Sequence, residues 1–330
     1  MKVRSGVLLL SFVLLSTASA APRDAVKFAG VLEQMRGHYD AMLSNHQKGD
    51  MAMALKHSRH PANELYDAVK ADLSPALQSA FKRDYARIEA VLAGHKSTSE
   101  LSQALNTFSR DVDKALATVP AATRQDPKYG ARVIALILGN TKTEYGSGVS
   151  AGKVANLAEY QDAQFYLAGA GRWLAQYMGR FPADQGGQAA TAVAQARTLH
   201  LSKADPKIFN VQIDRARTEL AEISGDTLAP TTGPAADFAT IRELLTQAKD
   251  HYAGGMQDAA NEALISAYLD HFEQLESPLA AKNKALEQQL ETTLRDTLRG
   301  LVKQKVSAPQ FSAAVDQALA DLRTAQDLLK

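Results

Sequence analysis

The sequence predicts an all-α protein assembled from antiparallel helical bundles, with two related four-helix units flanking a central helical pair. Three observations predict it. Apolar residues recur at helical spacing along nearly all of the 330 residues. Alanine is abundant, whereas aromatic residues make up only 6% of the chain, a composition suited to close-packed helices and poor for sheets. Glycine and proline collect at recurrent short breaks, and connections that short favour antiparallel neighbours.

The elements follow from those breaks. Residues 24–44 form a first helix with Phe28, Val31, Leu32 and Met35 on one face. Gly49-Asp50 starts a second, which meets Pro61 and runs to about residue 71. Ser74-Pro75 is a cap followed by proline at the first helical position, opening a third helix that ends near Gly94. Ser97 or Ser99 opens a fourth, ending near Val119-Pro120. Long helices then precede and follow a glycine-containing loop at residues 146–156, with Asn156 as the cap of the second. Phe181-Pro182 and Asp205-Pro206 mark further breaks, and GDTLAPTTGP, residues 225–234, is the clearest linker. Four helices follow it, at residues 235–252, 255–276, 278–302 and 309–329. The expected organisation is a leader at 1–20, an N-terminal bundle at 21–120, a central segment at 121–225, a linker at 226–234 and a C-terminal four-helix bundle at 235–330. An offset of about 209 places Glu64 and Asp67 on Glu273 and Glu276, and Leu77, Phe81, Tyr85 and Leu92 on Leu286, Leu290, Leu294 and Leu301. Leu73 falls on Lys282, so a duplication is suggested but imperfect.

Residues 1–20 have the form of a secretory leader: Lys2 and Arg4, an apolar run at 7–15, then Ala18-Ser19-Ala20 for cleavage before Ala21. A periplasmic product is therefore expected. No later stretch is apolar over the roughly 20 residues needed to span a bilayer. The chain has no cysteine, which excludes disulfides, thiolate metal sites and c-type haem attachment. Its formal charge is +1, or about −1 without Lys2 and Arg4, which argues against nucleic acid as a partner. No nucleophile elbow, HExxH zinc site or Gly-rich phosphate loop is present, so an enzyme is not expected.

The most informative stretch is EYGSGVSAGKVANLAEYQDAQF, residues 144–165. Two Glu-Tyr pairs, Glu144-Tyr145 and Glu159-Tyr160, bracket the loop, and capping alone would not require a carboxylate and a phenol on each side. With Val149, Gly152, Val154, Asn156, Asp162 and Phe165, this stretch resembles the extracytoplasmic domain of bacterial high-affinity iron permeases. A C-terminal patch with Tyr252, Gly255, Ala259, Ala263, Tyr268, Asp270, Phe272, Glu273 and Glu276 resembles the same family, as does GDMAMALKHSRHPANELYDAV near the N-terminus. The Arg-Glu-Gly-x-Glu motif of the family's membrane helices is missing, so the resemblance implies capture or delivery of iron, or assembly of an uptake complex, rather than transport itself.

Three constellations could hold a metal. His57, His60 and Glu64 share one stripe of the second helix, and imidazole with carboxylate suits iron, copper or zinc. Glu144, Tyr145, Glu159, Tyr160 and Asp162 offer hard oxygen donors suited to ferric iron, although Glu159 in the first turn after a cap is also favoured by the helix dipole alone. Glu262, Asp270, Glu273 and Glu276 form an acidic stripe, in which Glu273-x-x-Glu276 has a spacing found in carboxylate iron sites. His38, His46, His95, His200 and His251 read as solvated, and Tyr166 and Trp173 as core. The expected function is thus iron binding or delivery beside a membrane iron permease or a periplasmic metal or redox protein. The rival is a metal-free periplasmic adaptor or sensor that binds a partner protein through a helix face.

Overall fold

The computed structural model describes residues 21–226 and 234–330. The leader and residues 227–233 of the linker lie outside the described residues. The architecture is all-α, with a single two-residue hairpin as the strand content among the described residues.

The first unit contains α1 (Ala25–Gln47), a second helix split into α2 (Met51–His60), a π turn (Pro61–Leu65) and α3 (Tyr66–Lys70), then α4 (Pro75–Ala93) and α5 (Thr98–Leu116). Its ends are set by side chains. Asp24 accepts from the amides of Val26 and Lys27, Asp50 caps α2, Ser74 caps α4, and Ser97 with Glu100 forms a reciprocal capping box on α5. Proline at position 61 has no N–H for the helical ladder, and the wider π turn accommodates its ring without ending the helix.

The short α6 (Ala121–Gln125) leads to α7 (Pro127–Gly148), which meets α8 (Leu157–Tyr177) across the hairpin β1 (Val149–Ser150) and β2 (Lys153–Val154). Val149 pairs with Val154, and Ala151 and Gly152 take φ of 49° and 71°, the backbone that a tight two-residue hairpin turn demands. The sequence predicts an irregular loop here, because two-residue strands are too short to leave a periodic signal. Asn156 caps α8, as its position predicts. A helical pair is completed to a four-helix bundle by α9 (Ala183–Leu201) and α10 (Pro206–Ser224), which pack on each other, α9 also on α8 and α10 on α7.

The last unit repeats the first in outline: α11 (Pro234–Ala253), a second helix of α12 (Gln257–Ser266) with a π turn (Ala267–Phe272), and α13 (Glu273–Thr292) continuing through another π turn (Thr293–Thr297) to α14 (Leu298–Gln304), then α15 (Ala308–Leu328). In both units a π turn lies in the second long helix, and the last unit carries another beyond it. The break between the second and third helices differs from expectation. The chain stays helical through Pro278, and the kink falls at Asn283, with φ −153° and ψ 89°. There Asn283 Oδ1 accepts from the Leu286 amide and restarts the helix, a cap that outweighs the proline signal.

Two hydrophobic cores result. One runs from Phe28 to Ile223 through the first and central units, with α1 at its middle; the other is confined to the C-terminal unit. The cores divide at the linker, not near residue 120. Polar contacts join the units: buried Arg299 donates to Asp67 (2.9 Å) and to the Asn63 carbonyl (3.3 Å), and Lys27 pairs with Asp270 (2.6 Å).

Within the first unit Asp84 on α4 is buried against Asp111 on α5. Burial and the neighbouring Asp111 raise its pKa to about 6. An acid that holds its proton more tightly when folded loses its stabilising contribution as pH rises, here between about pH 4 and 6. Asp84→Asn is expected to stabilise the protein at pH 7 by about 1–2 kcal/mol, with the gain vanishing near pH 4. Thermal unfolding of both proteins at the two pH values tests this; a gain that is equal at both would contradict it.

Candidate metal centre

The helices bring residues from all three units to one place beside α1. Asn156 caps α8 and its amide also donates to Glu159 Oε1 (3.1 Å), which fixes Glu159 in the first turn. Asp162 and Tyr166 follow at spacings of three and four, so all three side chains leave α8 on one face. Glu144, one turn before the end of α7, meets them from across the hairpin. One oxygen each from Glu144, Glu159 and Asp162 lies within 4.8 Å of the others.

A second group of ligand-type atoms shares Asp162. Asp162 Oδ1 lies 2.8 Å from His38 Nδ1 on α1 and 3.2 Å from His57 Nδ1 on α2. Asp162 is 1% exposed, His57 0% and His38 5%. None of these three atoms has a hydrogen bond of acceptable geometry. The remaining ring nitrogens are held: His57 Nε2 is 2.8 Å from Gln161 Oε1, and His38 Nε2 is 2.7 Å from the Tyr166 hydroxyl.

The C-terminal unit closes the other side with Glu273, which stands near Glu159 and Glu64, and Glu276, which stands near Glu159 and Glu273. The π turns take part in this convergence. The first carries Glu64, the second Tyr268, the third Arg295, and each of these faces the cluster. A π turn shifts the residues beyond it around the helix axis, and such turns are frequent at functional sites. A cleft of about 1050 Å³ between the central and C-terminal units reaches the cluster, with Glu159, Glu276, Glu287 and Glu291 on its wall.

The electrostatics are those of too many acids for the bases present. Glu64 is satisfied: burial opposes its charge, but His60 at 3.0 Å and Arg295 at 3.6 Å outweigh it and lower its pKa. His60 is raised to about 9, since Glu64 overcomes the cost of burial. Burial likewise opposes charge on Asp162, yet His38 and His57 hold its carboxyl well below the usual range. Glu144, Glu273 and Glu276 are the reverse. Burial first, then facing carboxylates, push all three well above 4.5. The same causes raise Glu287 to about 7. Carboxyls crowded and desolvated in this way must share protons or a cation.

The arrangement differs from the sequence grouping at several residues. His57, His60 and Glu64 do not form one site: His60 pairs with Glu64, while His57 turns to Asp162. Glu262 and Asp270 point outward, into ion pairs with Arg23 and Lys27. Tyr145 and Tyr160 lie on the opposite side of their helices from the neighbouring glutamates. Tyr145 donates to the Leu199 and Ala204 carbonyls (3.3 and 2.8 Å), and Tyr160 to the His200 carbonyl (3.0 Å), which satisfies the end of α9. The reason is geometric: adjacent residues on a helix point about 100° apart, so a Glu-Tyr dipeptide cannot aim both side chains at one ion. The phenols beside the acids are instead Tyr166 and Tyr268.

His38 and His200 are buried rather than solvated. His200 stacks on Tyr160, with ring centroids 4.1 Å apart, while His38 faces the cluster. The signal for His38 lies in the sequence: the apolar stripe Phe28, Val31, Leu32, Met35 continues into His38, Met42 and Asn45, so polar residues stand at core positions of α1.

Replacing Tyr145 and Tyr160 with Phe is expected to leave metal binding unchanged and to cost about 1 kcal/mol of stability per lost hydrogen bond. Iron added to the native protein should accordingly show no visible charge-transfer band attributable to these two tyrosines. A visible band that the double Phe variant removes would contradict the assignment.

Comparison with known families places the central bundle. Residues 120–227, about a third of the chain, match the iron permease-associated 4-helix bundle domain. The match covers α7–α10 and the hairpin, and therefore Glu144, Glu159 and Asp162; the resemblance read from the Glu-Tyr stretch is borne out over that unit. Comparison with curated proteins and with solved structures gives no match. Among the described residues no helix is long and apolar enough to cross a membrane.

Proposed function

We propose that this protein is a non-enzymatic iron-binding component of an uptake system, capturing iron outside the cytoplasm and passing it to, or assembling with, a membrane iron permease. The observation that carries the reading is the convergence within 4.8 Å of Glu144, Glu159 and Asp162, which lie in a domain whose family is named for its association with iron permeases, backed by Glu273 and Glu276 from the C-terminal unit outside that match. Hard oxygen donors without thiolate suit ferric or ferrous iron. Desolvated carboxylates also give a strong reason to bind a cation, because the ion removes the repulsion that otherwise keeps several of them protonated. The acidic wall of the cleft offers a route by which iron reaches the cluster, and the partial solvent access of Glu144, Glu159, Glu273 and Glu276 suits a cargo that must leave again. An extracytoplasmic location rests on the leader-like residues 1–20.

The test is calorimetric titration of the mature protein with ferrous iron under anaerobic conditions and with ferric iron as a soluble chelate. Binding at micromolar concentration, with release of protons, is the expected result. If iron does not bind, the cargo reading fails, and a partner-binding scaffold takes its place.

A further inference from the structure

Beyond the carboxylate cargo site, we propose a second metal site formed by His38, His57 and Asp162, which takes a divalent ion of the imidazole-preferring class: copper(II) or zinc(II). Hydrogen bonding fixes which nitrogen of His57 can act. Asn45 Nδ2 donates to the Ala41 carbonyl (2.9 Å) and to Gln161 Oε1 (2.8 Å), and Gln161 Nε2 donates to Asn45 Oδ1 (3.0 Å). This interlocked amide pair presents Gln161 Oε1, an acceptor, to His57 Nε2, which must carry a hydrogen to donate to it. Nδ1 is then the ring's remaining ligand atom, and it stands 3.2 Å from Asp162 Oδ1.

The geometry suits an ion. Tetrahedral ligands with bonds near 2.0–2.1 Å lie about 3.3 Å apart; Asp162 Oδ1 stands 3.2 Å from His57 Nδ1, close to that spacing, and 2.8 Å from His38 Nδ1, which must open by about 0.5 Å around an ion, and all three atoms lie within 4.8 Å of one another. The three atoms are buried and lack hydrogen bonds of acceptable geometry. Outer partners hold both rings, Gln161 for His57 and the Tyr166 hydroxyl for His38, as such partners do for metal-ligating histidines. Three protein ligands leave a fourth position free. Two nitrogens and one oxygen select differently from the all-oxygen group of Glu144, Glu159 and Asp162. Asp162 belongs to both groups, so the two ions would be neighbours on one carboxylate.

The experiment uses the mature full-length protein with copper(II) as the spectroscopic probe and zinc(II) as the calorimetric one. One equivalent of copper(II) is expected to show nitrogen superhyperfine splitting from two imidazoles. His57→Ala should reduce this to one nitrogen and weaken zinc(II) by at least about a hundredfold. Gln161→Leu removes no ligand but frees the ring, and should weaken zinc(II) by about 10- to 100-fold. Glu144→Gln with Glu159→Gln should keep the two-nitrogen spectrum while losing iron, which separates this site from the cargo site. A one-equivalent copper spectrum without two nitrogens in the native protein overturns the proposal, a result that needs no variant to fold. So does unchanged zinc(II) affinity in a His57→Ala protein of native helicity.

Discussion

Glu144→Gln combined with Glu159→Gln should lower iron affinity by several hundredfold or more. Each substitution keeps size and hydrogen-bonding capacity and removes one charge. The loss from taking a partner out of a buried ionic group is about 3–5 kcal/mol. The metal-free protein should respond in the opposite direction. Glu144 is a carboxyl whose pKa burial and Glu159 push well above 4.5, so its folded form binds more protons than its unfolded form. The contribution of Glu144 to the stability of the metal-free protein therefore falls as pH rises above about 4.5. The Gln pair should remove part of that fall and show a higher Tm at pH 7 than the native protein. Iron must displace the Glu144 proton, so native affinity should drop as pH is lowered, and the variant should show a flatter dependence. Calorimetry in buffers of different ionisation enthalpy counts the released protons. A variant that binds iron as well as the native protein would remove Glu144 and Glu159 from the site. His60→Gln serves as a comparison, because His60 is engaged with Glu64 rather than with these three oxygens.

Gly148→Ala is expected to have the largest effect on the fold for the smallest change. Gly148 ends α7 where the hairpin brings α8 back, and an added Cβ would lie 2.5 Å from the Tyr160 amide nitrogen and 2.7 Å from its Cα. Backbone atoms cannot rotate aside as a side chain could, so the two helices must separate. Overpacking of this kind costs about 1–3 kcal/mol, and the upper part of that range is expected here. The displacement acts directly on the site, because Glu159 precedes Tyr160 and Glu144 lies one turn before Gly148. Denaturant unfolding should show a loss of about 3 kcal/mol, and iron binding should weaken without any ligand being changed. Gly152→Ala is the contrast. It is strained by its φ of 71°, but nothing lies within 4 Å of an added Cβ, so its effect should stay local to the turn.

Much of the fold was legible because its causes are local. Asp24, Asp50, Ser74, Ser97 and Asn156 cap helices where their side chains can reach the next free amides. Asn283 was missed because a cap within a continuous alanine- and leucine-rich run has no composition change to mark it, whereas Pro278 is conspicuous and yet lies inside a helix. At the centre, Glu144, Glu159 and Asp162 were legible through the family resemblance of their stretch. His38 was read as solvated although it stands at a core position of α1, and Gln161 and Asn45 were not singled out, since each is a lone polar residue whose partners lie far away in sequence: Gln161 is 116 residues from Asn45 and 104 from His57.

By itself the sequence determined helix type, most helix ends, the leader-like start and the oxygen-rich character of the candidate site, because capping, periodicity and residue chemistry act over a few neighbouring positions. Only the tertiary structure decided which acids meet. A helix turns 100° per residue, so whether Glu144 or Tyr145 faces an ion depends on where α8 and α10 pack against α7. Three π turns shift Glu64, Tyr268 and Arg295 relative to the regular period, an adjustment that no pattern of 3.6 residues contains. Joining Glu273 and Glu276 to Glu159 required the docking of one bundle on another through contacts such as Arg299 with Asp67, more than 200 residues apart in the chain.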